Sequence, residues 1–211
     1  MNALIITPYL TTDIRKIADI SAYDLILCAD SAYLAAQKEH ITPHIVIGDF
    51  DHDQNVRPEK GAENTVTVPC EKDDTDTMLC VKYAMQQGAD DITILGGIGG
   101  RLDHTFANLQ TLAFCESHGI RAHLLAEHDE AFLLSGSVRL PKRKEAWYLS
   151  VFAYDGACHD VTIKGTKYEV ENAVLDTNFP LGVSNEITAD FAEISVKEGR
   201  ILIILSAKET L

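Results

Sequence analysis

A chain of 211 residues suffices for one large or two small domains, and its 46% hydrophobic and 24% charged composition is that of a globular protein, which excludes wholesale disorder. A formal net charge of −14 argues against nucleic acid as the partner and leaves room for a cationic ligand. Five cysteines without a C-x-x-C pair, no basic-then-apolar leader and no apolar run long enough to span a bilayer give the expectation of a soluble cytoplasmic protein with no disulfide framework and no membrane partner.

In chain order, Asn2 to Thr7 reads as a buried strand, followed by a turn at Pro8 and a short helix holding Ile14, Ile17 and Ala18. Strand Asp24 to Cys28 runs into Ala29-Asp30-Ser31, where Asp30 or Ser31 is expected to cap a helix over Tyr33 to Lys38. Strand His44 to Ile47 ends in the acidic turn Gly48-Asp49-Phe50-Asp51, and a polar loop leads to strand Thr65 to Val68. Lys72-Asp73-Asp74-Thr75-Asp76 then opens a helix with Met78, Val81 and Met85 expected inward and its end at Gly88. Strand Asp91 to Leu95, the turn Gly96-Gly97-Ile98-Gly99-Gly100, a helix to about His118 and strand Ala122 to Leu125 complete the pattern.

Strands alternating with helices predict an α/β class: a mostly parallel sheet covered on both faces, with ligands outside the carboxyl ends of the strands. From Phe132 to Lys144 the pattern changes. Beyond it come short strand-like runs at Trp147 to Phe152, Val161 to Lys164, Phe191 to Val196 and Ile201 to Leu205, which predict a C-terminal antiparallel β-sandwich. The expected domains are therefore 1–134 and 135–211.

Chemistry concentrates at the strand ends. Asp49 and Asp51, with Asp73, Asp74 and Asp76, supply clustered carboxylates without a basic partner, which a hard cation such as Mg²⁺ would reconcile; turn formation and helix capping are the plainer reading. After the glycines, Leu102, Phe106, Leu109 and Ala113 form an apolar stripe expected to support the helix, opposite a polar stripe of Arg101, His104 and Asn108 that is either a ligand wall or a solvated face. Arg101, near the positive end of the helix, suits a phosphate. The glycine run matches neither the Walker pattern nor G-x-G-x-x-G, because Leu102 stands where the third glycine belongs. No zinc spacing or serine-nucleophile elbow is present, and His118, His123 and His128 recur at a spacing that fits no metal site. Tyr168 and the turn Gly182-Val183-Ser184-Asn185-Glu186 read alone as loop chemistry.

Taken together and in order, Gly48-Asp49-Phe50-Asp51, Lys72-Asp73-Asp74-Thr75-Asp76, Gly99-Gly100-Arg101-Leu102-Asp103-His104 with Asn108, and Gly182-Val183-Ser184-Asn185-Glu186 resemble the thiamine pyrophosphokinase family over essentially the whole chain. The resemblance implies pyrophosphoryl transfer from ATP to the hydroxyl of thiamine, an N-terminal catalytic domain, a C-terminal thiamine-binding domain and a homodimer with sites at the interface. It assigns Mg²⁺ or Mg·ATP to Asp49, Asp51, Asp73 and Asp76, with Thr75 nearby. Gly99, Gly100, Arg101 and Asn108 fall to the nucleotide, and Arg101, Asp103 and His104 to the phosphate and reacting hydroxyl. Tyr168, Ser184 and Asn185 fall to thiamine. His52 departs from the serine usual after the acidic turn. Asp103 or another carboxylate free of metal would take the hydroxyl proton. A pterin pyrophosphokinase, a metal-dependent phosphohydrolase and a non-catalytic nucleotide or vitamin sensor are the alternatives.

Overall fold

The computed structural model describes residues 1–50, 65–67 and 74–208; Asp51, His52, Cys70 and Asp73 lie outside the described residues. The protein is a mixed α/β chain in two compact units, Met1–Glu127 and His128–Leu211.

The first unit is built on strands β1 (Asn2–Ile6), β2 (Leu25–Ala29), β3 (Ile45–Gly48), β4 (Thr65–Thr67), β5 (Asp91–Leu95) and β6 (Arg121–Leu125). They pair in the order β4-β3-β2-β1-β5-β6, every pair parallel. Helices α1 (Ile14–Ile17), α2 (Ala32–Lys38), α3 (Asp76–Gln86) and α4 (Leu102–Ser117) connect them. Ala3 to Ile6 and Leu25 to Ala29 are buried without alternation, as expected of strands covered on both faces. The order reverses between β1 and β5, because β2 to β4 build outward on one side and β5 and β6 on the other; such switch points open a crevice at the strand carboxyl ends.

Two helix faces differ from expectation. In α3 the buried row is Thr77, Cys80, Val81 and Ala84, with Met78 and Met85 only half-buried. In α4 the expected inner stripe is displaced outward: Leu102 is 83% and Phe106 59% exposed, and the buried residues are Asn108, Thr111, Leu112 and Cys115. Asn108 therefore belongs to the inner face. The bond from Asn108 to the Gly97 carbonyl holds that face of α4 inward.

The second unit is all strand among its described residues: β7 (Asp129–Pro141), β8 (Trp147–Ala153), β9 (Cys158–Lys164), β10 (Val170–Leu175), β11 (Gly182–Asn185) and β12 (Phe191–Ala207). The runs Phe191 to Val196 and Ile201 to Leu205 are one strand, not two. It pairs with β7 along both halves and bulges between Val196 and Ile201. Its first half also pairs with β9 and its second half with β8, so one bent strand serves two sets of partners. Gly199, at φ +95°, occupies the bend, where a Cβ would stand 2.8 Å from the Cys158 sulfur. Strand β10 extends β9 and β11 extends β8. Phe132, Leu149, Val151, Val161, Ile163, Ile194 and Ile203 share one core, each burial contributing roughly 1.5–3 kcal/mol.

No helix among the described residues is long and apolar enough to cross a membrane. Cys28, Cys80, Cys115 and Cys158 are buried, and none of the four forms a disulfide among the described residues. Burial pushes the Cys28 and Cys115 thiols up to about 12, so neither is a thiolate nucleophile near neutral pH.

Candidate active site

The first wall of the site is the turn after β3. Gly48 is required there by a close approach: a Cβ on it would meet the Asp30 Cα at 2.7 Å. Asp30 follows β2 at φ +46°, and its amide donates to the Ile47 carbonyl at 2.8 Å, drawing the two strand ends together. Phe50, also at positive φ (+53°), is buried at 4% exposure and meets Tyr33 edge to face, which pins the acidic turn from below. Asp49 is thereby held half-buried beside Asp30.

The second wall is the start of α3. Thr75 is its N-cap, with the side-chain oxygen accepting from the Met78 amide at 3.2 Å, a contact that stabilises the helix by about 1 kcal/mol. Asp76 is thus the first helical residue, and the helix dipole favours its negative charge. Asp30, Asp49 and Asp76 each offer a carboxylate oxygen, all within 4.8 Å of one another. Asp49 and Asp76 belonged to the predicted set. Asp30 was read as a cap, although Ser31 holds the N-cap position of α2. Its signal in the sequence is an acid directly after a buried strand, as at Asp49. Asp74 is turned away to other use, with its carboxylate 2.7 Å from the Lys82 ammonium.

The glycine turn supplies the third wall. Gly96, Gly97, Gly99 and Gly100 all take positive φ. The Gly96 amide donates to the Leu125 carbonyl and the Gly97 amide to that of Tyr9, so the first two amides hold the loop in place. Asn108, on the inner face of α4, donates from Nδ2 to the Gly97 carbonyl at 3.0 Å and locks loop to helix. The Tyr9 ring lies across Gly99 and Gly100, where added Cβ atoms would come within 2.9 and 2.8 Å of it.

Arg101 is the N-cap residue of α4, and Asp103 sits in the first turn. The guanidinium grips Asp103 through Nε at 3.1 Å and a terminal nitrogen at 2.6 Å, and Asp103 also accepts from the His104 amide at 2.9 Å. The bond from Arg101 holds the Asp103 carboxyl below its usual range, and Asp103 in turn raises Arg101.

These walls enclose a cleft of about 340 Å³ at the strand carboxyl ends, lined by Thr7, Tyr9, Asp30, Thr75, Asp76, Gly97, Gly99, Arg101, His104 and Asn108 among others. Asp49 joins it through its carboxylate neighbours, and Asp103 through Arg101. Hard oxygens, a guanidinium and an imidazole share one opening. Such a cleft suits a cation-bound polyphosphate.

Tyr168, Ser184 and Asn185 are gathered in the second unit. Tyr168 is 62% exposed, with the Lys167 ammonium 5.4 Å from its ring centre. Ser184 is exposed at φ +58°, and its amide donates to the Ser150 hydroxyl at 3.1 Å. Asn185 is buried, and its amide side chain bonds to the Tyr168 backbone. Glu186 binds Lys208 at 2.6 Å and Lys167 at 3.5 Å; the bond from Lys208, first, holds its carboxyl below the usual range.

Comparison with known proteins covers both units. Residues 19–124 match the model for "Thiamin pyrophosphokinase, catalytic domain", and residues 137–201 that for "Thiamin pyrophosphokinase, vitamin B1 binding domain". The chain is 29% identical over 170 residues to thiamine pyrophosphokinase of Bacillus subtilis, covering 79% of each chain. It is 28% identical to thiamin pyrophosphokinase 1 of Caenorhabditis elegans over 76% of this chain and 68% of that one. The crystal structure of the Bacillus subtilis enzyme superposes with a TM-score of 0.89 at 25% identity, covering 99% of this chain and all of that one. A thiamin pyrophosphokinase family protein from Enterococcus faecalis gives 0.84 at 26% identity, with 99% and 100% covered. With both family models matched in order along its length, the chain belongs to the thiamin pyrophosphokinase family.

Proposed function

We propose that this protein transfers the pyrophosphoryl group of Mg·ATP to the hydroxyl of thiamine, giving thiamine diphosphate and AMP. The observation that carries the reading is the cleft itself: Asp30, Asp49 and Asp76 converge opposite Arg101 and His104 at the switch point of the family's catalytic domain. Three oxygen donors of this hardness fit Mg²⁺, so these carboxylates would hold it, with Asp51 and Asp73 as the further ligands expected from sequence. When bound, the ion would supply charge neutralisation on the phosphates.

In this reading Arg101 takes the transferred phosphates as a permanent cation, and Thr75, Gly99, Gly100 and Asn108 shape the nucleotide side of the cleft. Arg101 moving onto phosphate loosens its hold on Asp103. A carboxylate freed from that partner regains basicity and can accept the thiamine hydroxyl proton, with His104 beside it. Cys28 and Cys115 are too basic to act as nucleophiles, which favours direct in-line transfer over an intermediate bound to either thiol.

The second unit, a β-sandwich in this proposal, would present Tyr168 to the thiazolium, with Ser184 and Asn185 in the adjoining turn. A cation over an aromatic face gains about 0.5–2 kcal/mol. Lys167 already takes such a position, so the ring accepts positive charge. A homodimer would complete the sites, and the exposed Leu102 and Phe106 beside Arg101 and His104 offer apolar surface for such a contact to cover.

The test is incubation with ATP, Mg²⁺ and thiamine followed by product separation. AMP together with thiamine diphosphate is expected. Inorganic phosphate with unmodified thiamine would mean a phosphohydrolase, transfer to a pterin alcohol but not to thiamine a different pyrophosphokinase, and unchanged ligands a sensor. Tyr168→Ala is expected to weaken thiamine binding and leave ATP binding unchanged; equal losses would remove its role.

A further inference from the structure

We propose that Asn185 acts on thiamine through Tyr168, as a positioning residue rather than a ligand contact; the inference rests on the reading of Tyr168 as the thiamine platform. A primary amide has two acceptor sites on oxygen and two N–H donors. In Asn185 all four are used. Oδ1 accepts from the Tyr168 amide at 3.0 Å and from the Glu186 amide at 2.8 Å. Nδ2 donates to the Thr166 hydroxyl at 3.1 Å and to the Tyr168 carbonyl at 2.7 Å. The residue is only 7% exposed, so a ligand atom would have to displace a bond already made in a poorly solvated place.

The bonds converge on one residue. A single side chain holds both the N–H and the C=O of Tyr168, and the buried Thr166 hydroxyl donates to the same carbonyl at 3.0 Å. The two loops are also joined by the Lys167 amide, which donates to the Glu186 carbonyl at 2.9 Å, and by a bridge between Thr166 and Ile187. The backbone of Tyr168 is clamped while the residue as a whole stays 62% exposed. A ring presented on a fixed backbone binds a flat cation without first being ordered, and that gain belongs to substrate binding, not to the chemical step.

Steady-state kinetics with thiamine and ATP varied separately, combined with amide hydrogen exchange, test the clamp. Asn185→Ala is expected to raise the thiamine KM about tenfold, with kcat and the ATP KM within about twofold of wild type. The Tyr168 amide should exchange faster in that variant, with or without ligand. Thr166→Val, which removes one partner and leaves the Oδ1 bonds, should give a smaller form of the same split. In a Tyr168→Ala background Asn185→Ala should add less than about twofold. Independent, multiplying losses would make Asn185 a direct thiamine contact and overturn the proposal. So would an unchanged exchange rate at Tyr168, or losses spread equally over kcat and both KM values. If Tyr168→Ala leaves the thiamine KM unchanged while the exchange result holds, the clamp stands and the platform reading fails.

Discussion

Asp30→Asn separates a cation ligand from a structural acid by the sign of its effect. The three carboxylates of Asp30, Asp49 and Asp76 lie within 4.8 Å of one another. Two unit charges at that separation repel by about 1 kcal/mol in bulk water and about 3.5 kcal/mol at an effective dielectric constant of 20. Asparagine removes two of the three repulsions, keeps the shape and tolerates the φ of +46°. Because all three residues are only half-buried, the low end applies, and the metal-free variant should gain about 1–2 kcal/mol, or about 2–8 °C in Tm. With Mg²⁺ most of that gain is lost. An ion at about 100 times its Kd stabilises the wild type by about 2.7 kcal/mol, whereas a tenfold weaker site at the same concentration gives about 1.4 kcal/mol. Thermal unfolding in EDTA and across a Mg²⁺ titration measures both. A variant less stable than wild type in EDTA, or with the same Mg²⁺ response, would refute the cation reading of Asp30.

Gly97→Ala forces a left-handed backbone at φ +73° and places a Cβ 2.4 Å from the Asn108 Nδ2, so a loss of about 2–4 kcal/mol is expected from urea unfolding, partly relieved by Asn108→Ala. The Asp103 carboxyl is depressed by Arg101, so that ion pair is complete above the ordinary carboxylate range and lost as pH falls through the depressed value. A carboxyl carbon NMR titration should show Asp103 below its ordinary range in the wild type and shifted upward in Arg101→Ala, where the His104 amide bond remains. If α4 contributes to a homodimer contact, Leu102→Asp should shift sedimentation toward monomer while changing monomer stability by less than about 0.5 kcal/mol; an unchanged distribution removes that face from the interface.

The strand ends were legible because apolar runs such as Leu25 to Ala29 stop abruptly at glycine or acid, and in a parallel sheet those stops gather at one edge. Periodicity alone could not choose the inner face of α4. Leu102, Phe106, Leu109 and Ala113 satisfy a helical stripe as well as any buried set does. The choice was made by a polar contact, Asn108 to the Gly97 carbonyl, between residues eleven apart in sequence. Asp30 was missed for a similar reason. Its place beside Asp49 depends on the pairing of β2 with β3 and on the space left by Gly48, neither of which has a local signature. Strand β7 has no clean sequence signature, because Ser135-Gly136-Ser137 and Pro141 interrupt its apolar run, yet Gly136, Ser137 and Pro141 pair with β12.

Backbone strain gives a view of the site that does not depend on the motifs. Non-glycine residues at positive φ are uncommon, and each costs on the order of 1–2 kcal/mol when it lacks a glycine's freedom. In the first unit Asp30 and Phe50 carry this conformation directly after β2 and β3, and Gly96, Gly97, Gly99 and Gly100 carry it directly after β5. The three turns border the same cleft. Packing does not require an acid at φ +46° next to a second acid, since a glycine or asparagine at position 30 would relieve both strain and repulsion. Aspartate there brings two destabilising terms to one point, and a cation bound as proposed would offset the larger of them. The glycine turn differs in kind: its φ values cost little, and its first amides and the Asn108 bond make it rigid. If Mg·ATP binds as proposed, a strained acidic corner beside a relaxed, anchored loop makes the acidic side the one whose energy changes most, and substitutions there should register in ligand-linked stability before they register in the fold.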